Sequence, residues 1–500
     1  MTAVVLAVYH LLKGLKKVNY LPGYRVILSP VTVLGRIVPT CFWNLGVNWA
    51  WAHRDTAYFN FTHDIISIVP AMFGEATFFT CSFDVMKQLL GNEHKLQLVK
   101  PLDLTLHRVW GQSLASASGE LWRKHRRAIN PAFHSSIYKA LRVESGQVYR
   151  EMIENEGWTD QKEVIIPNIK NVVSKAILVT VGRCGFGLLM KWPRNTRSNI
   201  DIDPNQVSLT EAIVISASNV IAKVAIPNWF YKLPIKKVQI VNIAWNMFTS
   251  ETRKVIRDQK TADLKYDDES EGGYILRRLV AASKEDSGKY LLDEQEMAQT
   301  SSSILTATLG FLAIYQDEQE TAYKEISEFV SKNGKIDIKE PSDTPHLSGC
   351  FFEAGRRYPA GFFLPRSLTE DTPVKVKRPT EQTIILPKGS RIMFDLVSLS
   401  NNPNDFPDPH IFRPSRWYNV SDTDLFMFGA GPRMCIGRKF AFMQNVNLLA
   451  HILNEWKVDI VPETEDETRE AYEKRVMYVA GPDGTSFSVG RVSVKLSKRI

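Results

Sequence analysis

The chain has 500 residues, five cysteines and a formal net charge of +8, and 44% of its residues are hydrophobic. Cys41, Cys81, Cys184, Cys350 and Cys435 lie too far apart for a CxxC zinc or redox pair and are too few to suggest a disulfide framework. Basic residues are spread along the sequence without blocks of like charge, which gives nucleic-acid binding no support, and the apolar fraction can supply a large core.

At the N-terminus, "TAVVLAVYHLL" (Thr2 to Leu12) is apolar over about half of the roughly 20 residues that span a bilayer. It lacks the basic n-region and small-residue cleavage site of a removable signal peptide. Lys13, Lys16 and Lys17 follow and favour the cytosolic side for such a segment. Residues 1–25 are therefore read as a short or truncated membrane anchor. Residues 26–60, rich in Trp and broken by Pro30, Gly35 and Pro39, are read as an interfacial segment.

From Ser82 the pattern is mainly helical. "SFDVMKQLLGN" begins at a capping serine and stops at Gly91, "SGELWRKHRRAIN" ends before Pro131, and the run from Ser135 closes at Gly157. Helices are expected over Asn168 to Gly187, Ser208 to Pro227 and Lys236 to Lys260, with a charged loop from Leu264 to Gly273. Further helices begin near Tyr274, Asp293, Glu318 and His346. Strand-like patterns with turn signals are confined to the last third, around Pro387 to Gly389 and near the C-terminus. With no internal repeat and no linker, residues 61–500 read as one large domain, mainly α with small β-sheets (α+β).

The most informative stretch is "FMFGAGPRMCIGRKFA" (Phe426 to Ala441), which sets Cys435 among glycines and directly before an apolar helical run. A lone cysteine is usually a small buried hydrophobe. Here Phe428, Gly431, Arg433, Cys435 and Gly437 form F-x-x-G-x-R-x-C-x-G, a match whose chance probability is on the order of one in ten thousand for this length. The motif resembles that of the cytochrome P450 family, the haem-thiolate monooxygenases, and the resemblance extends from about residue 20 to the C-terminus. It implies the cytochrome P450 fold for residues 61–500. It also implies haem b with Cys435 as the proximal iron ligand, Phe428 packed beside it and Arg433 paired with a haem propionate. Glycines let backbone N–H groups turn toward sulfur, and the following helix adds positive potential. Thiolate ligation favours O–O cleavage.

Four other stretches carry the same resemblance. Glu353 and Arg356 in "CFFEAGRRYP" match the family's E-x-x-R, and "FRPSRW" (Phe412 to Trp417) resembles its P-x-R-F/W element, which implies a structural triad of Glu353, Arg356 and Arg416. Trp122 and Arg126 match W-x-x-x-R, an i,i+4 pair on one helix face able to reach a propionate, and Arg366 stands where many members carry another propionate-binding arginine.

The central helix departs from the family. Its [A/G]-G-x-[D/E]-T-[T/S] motif aligns with Glu296, Met297, Gln299, Thr300 and Ser301, so the threonine is kept while the acid and the glycine are not. Roughly three turns of apolar residues that precede the motif in the family are missing here, and the stretch before Glu353 is also compressed. A lost block with intact flanks fits a skipped exon better than gradual divergence. Glutamine cannot cycle a proton as a carboxylic acid does; Thr300 is the candidate for proton delivery.

The resemblance implies a monooxygenase that inserts one oxygen atom of O2 into a small apolar organic substrate. Electrons would come from NADPH through NADPH-cytochrome P450 reductase, at the cytosolic face of the endoplasmic reticulum membrane. A haem protein of the same fold with altered oxygen activation is the alternative that Gln299 raises. A thiol hydrolase pairing Cys435 with His410 is a third reading, against which stands the absence of any Cys-His signature.

Overall fold

The computed structural model describes residues 2–93, 98–101, 114–188, 190–193, 207–219, 229–233, 235–261, 275, 294–421, 424–483 and 486–499. Its longer helices are α1 (Thr2–Lys17), α2 (Phe83–Gly91), α3 (Gly119–Ile129), α4 (Ser135–Asn155), α5 (Ile169–Thr180), α6 (Leu209–Ser218), α7 (Lys236–Thr261), α8 (Glu294–Ile314), α9 (Gln316–Asn333), α10 (Pro345–Arg357) and α11 (Arg438–Glu455). The expected charged loop at Leu264 to Gly273, the helix start near Tyr274 and the second half of the Ser208 to Pro227 run lie outside the described residues.

Helix α8 runs through the core between α5 and α10. From Ser301 to Ile314 every residue is buried, the pattern of a helix enclosed on all sides. Two of its hydroxyl groups are accommodated by back-bonding: Thr306 Oγ1 donates to Ser302 O at 2.7 Å and Thr308 Oγ1 to Ile304 O at 2.8 Å. Helix α4 buries Ile137, Leu141, Val148 and Met152, an i,i+4 face, and packs on α11. The expected cap of α2 is in place, since Ser82 Oγ accepts from Val85 N at 3.4 Å. Beyond α5 the chain widens into a π-turn, Val181–Phe186, closed by Gly187 at φ +67°. Arg183 in that turn forks onto Glu144 and Glu151 of α4 at 2.7 and 2.9 Å.

Strands are not confined to the last third. They are β1 (Gly23–Leu28), β2 (Ile65–Phe73), β3 (Thr77–Thr80), β4 (Glu163–Ile166), β5 (Phe363–Ser367), β6 (Thr372–Val376), β7 (Gln382–Leu386), β8 (Arg391–Asp395), β9 (Trp456–Ile460), β10 (Ala480–Asp483), β11 (Ser486–Val489) and β12 (Val494–Lys498). The main sheet has the order β1-β2-β3-β8-β5, with β1–β2 and β3–β8 parallel and the other pairs antiparallel. Residues 65–70 of β2 and all of β3 are buried, so neither shows the alternation by which a strand is read from sequence. The segments around Pro387 part company: β7 pairs with β6, while β8 enters the main sheet beside β3.

In the Trp-rich stretch, Trp49 and Trp51 are buried in the core, Trp49 stacking on Phe363 at 5.9 Å. The exposed apolar surface there comes from Ile27, Leu34, Ile37, Phe42 and Phe59. Helix α1 lies against β2 and exposes Val4, Val5, Leu6, Val8, Tyr9 and Leu12. At 1.5 Å per residue its 16 residues extend about 24 Å, short of a hydrocarbon core of roughly 30 Å. Among the described residues no helix is long and apolar enough to cross a membrane.

Candidate active site around Cys435

The loop before α11 is built from two 3₁₀ turns, Phe426–Phe428 and Gly431–Arg433. Gly429 and Gly431 have φ of +81° and +68°, and a Cβ on Gly431 would collide with the carbonyl oxygen of Leu90. That position needs glycine for both reasons. Cys435 N donates to Phe428 O at 2.8 Å, which folds the loop back and leaves the thiol exposed just ahead of Gly437, the N-cap of the 18-residue α11. A thiol so placed feels the positive end of the helix, which favours the thiolate. Arg126 adds to this: it donates Nη1 to Met434 O at 3.0 Å. Burial lowers its pKa, while Cys435 pulls in the opposite direction.

Behind the loop, Glu353 and Arg356 on α10 form a fully buried pair. Arg356 Nε and Nη2 donate to the two Glu353 oxygens at 2.9 and 2.8 Å. Glu353 also accepts from Trp417 Nε1 at 2.8 Å and Arg413 N at 3.2 Å, and Arg416 Nε stands 3.3 Å away. Arg356 continues to Ser400 O and Pro409 O. The expected triad therefore exists, with Trp417 as a further member. Burial alone would raise the Glu353 pKa, but Arg356 and the Trp417 and Arg413 hydrogen bonds hold it below the usual carboxylate value. On the loop side of α10, Gly355 sits so close to Met427 that a Cβ would meet its side chain. The ion pair thus fixes the helix on which the cysteine loop rests.

Cys435 opens into a cavity of about 240 Å³, just below the 300–1,000 Å³ typical of cofactor and ligand sites. Ile304, Phe351, Leu364, Phe428 and Phe440 give it apolar walls, and Thr300 and Ser301 line it from α8. Arg366 and Arg433 also line it. Both meet Glu93: Arg366 Nε and Nη2 lie 2.9 and 3.2 Å from its two oxygens, and Arg433 Nε lies 2.7 Å from Oε1. Burial pulls the Arg433 guanidinium down to about 10, with Glu93 opposing. Trp122 is not part of this cavity's lining. It packs under Arg433, 4.6 Å from the guanidinium, so its contact to the site runs through that arginine.

The cytochrome P450 family model matches residues 52–487. The chain belongs to the cytochrome P450 family. This cytochrome P450 is similar to cytochrome P450 monooxygenase 124 of the fungus Postia placenta, 24% identical over 480 residues that cover 92% of this chain and 91% of the relative. Its fold matches a zebrafish cytochrome P450 solved with progesterone at a TM-score of 0.64 and 18% identity, covering 90% of this chain and 98% of that one. Another solved cytochrome P450 matches at a TM-score of 0.68 and 17% identity, over 96% of this chain and 99% of that one. The class is that of haem-thiolate monooxygenases, with haem as the cofactor.

The residues present fit haem. Cys435 offers a thiolate donor at a helix N-terminus, the cavity walls are apolar, and Arg366 and Arg433 already hold a carboxylate. A nucleophilic thiol centre fits poorly. Among the described residues no histidine lines the cavity, and His410 lies instead against Asp55 at 3.4 Å and Arg357 at 3.5 Å. Glu93 escaped the sequence reading: it belongs to no motif and meets partners some 270 and 340 residues away in the chain.

Proposed function

We propose that this cytochrome P450 inserts one oxygen atom of O2 into a small apolar organic substrate, with electrons from NADPH delivered by NADPH-cytochrome P450 reductase. The observation that carries the reading is the exposed thiol of Cys435 at the N-terminus of α11, facing an apolar cavity with arginines on its rim. When bound, haem supplies the oxygen-activating chemistry. The chain's own residues supply the rest. Cys435 holds the metal, with its charge stabilised by Arg126 and the helix. Phe428 packs beside it, Arg366 and Arg433 hold carboxylates, and Trp122 supports Arg433. Apolar side chains exclude water, and Thr300 holds and moves a proton at its Oγ1.

Location at the cytosolic face of the endoplasmic reticulum membrane is supported by the apolar exposed face of α1, with Lys13, Lys16 and Lys17 behind it, together with Phe42 and Trp229. Helix α1 is then the membrane-associated segment, and the chain from β1 onward, with Gly23–Leu28 in the main sheet and Trp49 and Trp51 in the core, is the haem domain. The second reading, haem binding with altered oxygen activation, is favoured by Gln299 standing where the family has an acid.

The test is reconstitution of the full chain with haem, reductase and NADPH under ¹⁸O-labelled O2, screening apolar substrates. Substrate-dependent NADPH oxidation with one labelled oxygen in the product is expected. NADPH oxidation that never yields labelled product would favour the second reading.

A further inference from the structure

Glu93 lies just beyond the end of α2 and is 4% exposed. Arg366, on β5 and 2% exposed, grips both of its oxygens, and Arg433, from the Gly431–Arg433 turn, grips one of them from another side. Three residues distant in sequence therefore form a buried cluster with two positive charges and one negative. Such a surplus is unfavourable in a low-dielectric interior until a further anion arrives.

The two arginines line the same cavity as Cys435, so the cluster faces the place where an anionic cofactor would sit. Yet the side of Arg366 suited to a bidentate carboxylate, Nε and Nη2, is wholly taken by Glu93, and Nη1 turns back to Pro365 O at 2.9 Å. A second carboxylate can bind that side only by exchanging with the first. Room for the exchange exists. A neighbouring cavity of about 440 Å³ is lined by Glu93, Trp122, Arg123, Thr369 and Arg433, which leaves space for a displaced carboxylate; Arg123 there is paired with Glu120.

We propose that Glu93 is an internal latch that competes with a haem carboxylate for Arg366 and Arg433. The inference rests on the haem reading above. Because only the unlatched form is competent, the apparent affinity for haem is lowered by the fraction of chains in which Glu93 is still in place. The latch keeps two buried arginines compensated before loading, and haem retention becomes a competition between two carboxylates for one pair of cations.

The test loads the full chain and its Glu93→Gln variant with haem and follows haem loss to excess apomyoglobin, alongside melting of the haem-free chains. Glu93→Gln is expected to release haem about tenfold more slowly while its haem-free form melts at a lower temperature. Glu93→Asp, which keeps the charge but shortens the reach, is expected to fall between, and serves where the glutamine variant fails to fold. With haem dimethyl ester, whose carboxylates are blocked, wild type and variants are expected to release at one rate. Haem loss from Glu93→Gln and Glu93→Asp at the wild-type rate or faster would overturn the latch and assign Glu93 a supporting role. Failure of the wild-type chain to take up haem at all would overturn the haem reading, and the latch with it.

Discussion

Arg356 meets both carboxylate oxygens of Glu353, at 2.9 and 2.8 Å, and neither side chain has any exposed surface. A buried pair of this kind contributes little net stability against an apolar replacement, but breaking it leaves a charge with no counterpart. Glu353→Gln is expected to lower the unfolding free energy by about 3–5 kcal/mol in a urea titration. The same variant should recover less haem, because α10 supports Met427 in the cysteine loop. Wild-type stability with full haem content would contradict this role.

Gly431 carries a second prediction. Its φ of +68° and the Leu90 carbonyl oxygen in the path of a Cβ make alanine unfavourable there on two counts. Gly431→Ala is expected to lose on the order of 2 kcal/mol and to bind haem poorly. Gly334, at φ +75° with open space around it, is the control: Gly334→Ala strains the backbone by a similar amount but should leave haem content unchanged. Equal haem loss in both variants would show that the effect is not local to the cysteine loop.

The cysteine loop and the Glu353–Arg356 pair were legible in the sequence because their chemistry is written in short spacings. Glycines that must adopt positive φ beside a cysteine that precedes a helix, and separately an i,i+3 ion pair, are each contained within a few residues. The latch residue Glu93 and the strands β1 to β3 were not. Glu93 owes its role to partners on β5 and in the cysteine loop, which no local pattern can report. Strands β2 and β3 are covered on both faces, so the alternation of apolar and polar residues is absent, and Pro70 further disguises β2. Trp49 and Trp51 read as interfacial because composition cannot tell a membrane surface from a sheet edge packed against Phe79, Phe363 and Phe487.

His451 gives a pH dependence. It stacks on Tyr149 at 5.2 Å, and burial, reinforced by Arg150, lowers its pKa from 6.5 to about 4. The unfolded chain therefore takes up a proton before the folded one. The contribution of this group to stability is complete above pH 6.5 and is lost as pH falls toward 4, by roughly 3 kcal/mol in all. Asp395 and Asp405, whose pKa values burial raises to about 6, act in the opposite sense, so the comparison must isolate the histidine. Between pH 7 and about pH 4.5 the unfolding free energy of His451→Asn is expected to change less steeply downward than that of wild type. Parallel pH profiles for the two would exclude the assignment.

Thr300, read in the sequence as the alcohol of the family's acid–alcohol pair, lines the cavity beside Ser301. Thr300→Ala is expected to leave haem content unchanged and to divert more of the NADPH consumed into peroxide, measured as product formed per NADPH. An unchanged ratio would move proton delivery to another group.

The central claim is that Cys435 binds haem iron as a thiolate. Its most direct test is the reduced carbon monoxide difference spectrum of the haem-loaded full chain beside that of Cys435→Ala. The account predicts the long-wavelength Soret band of thiolate-ligated haem in the wild type and its absence in the variant. A wild-type spectrum without that band, or a band that survives the loss of Cys435, would contradict it.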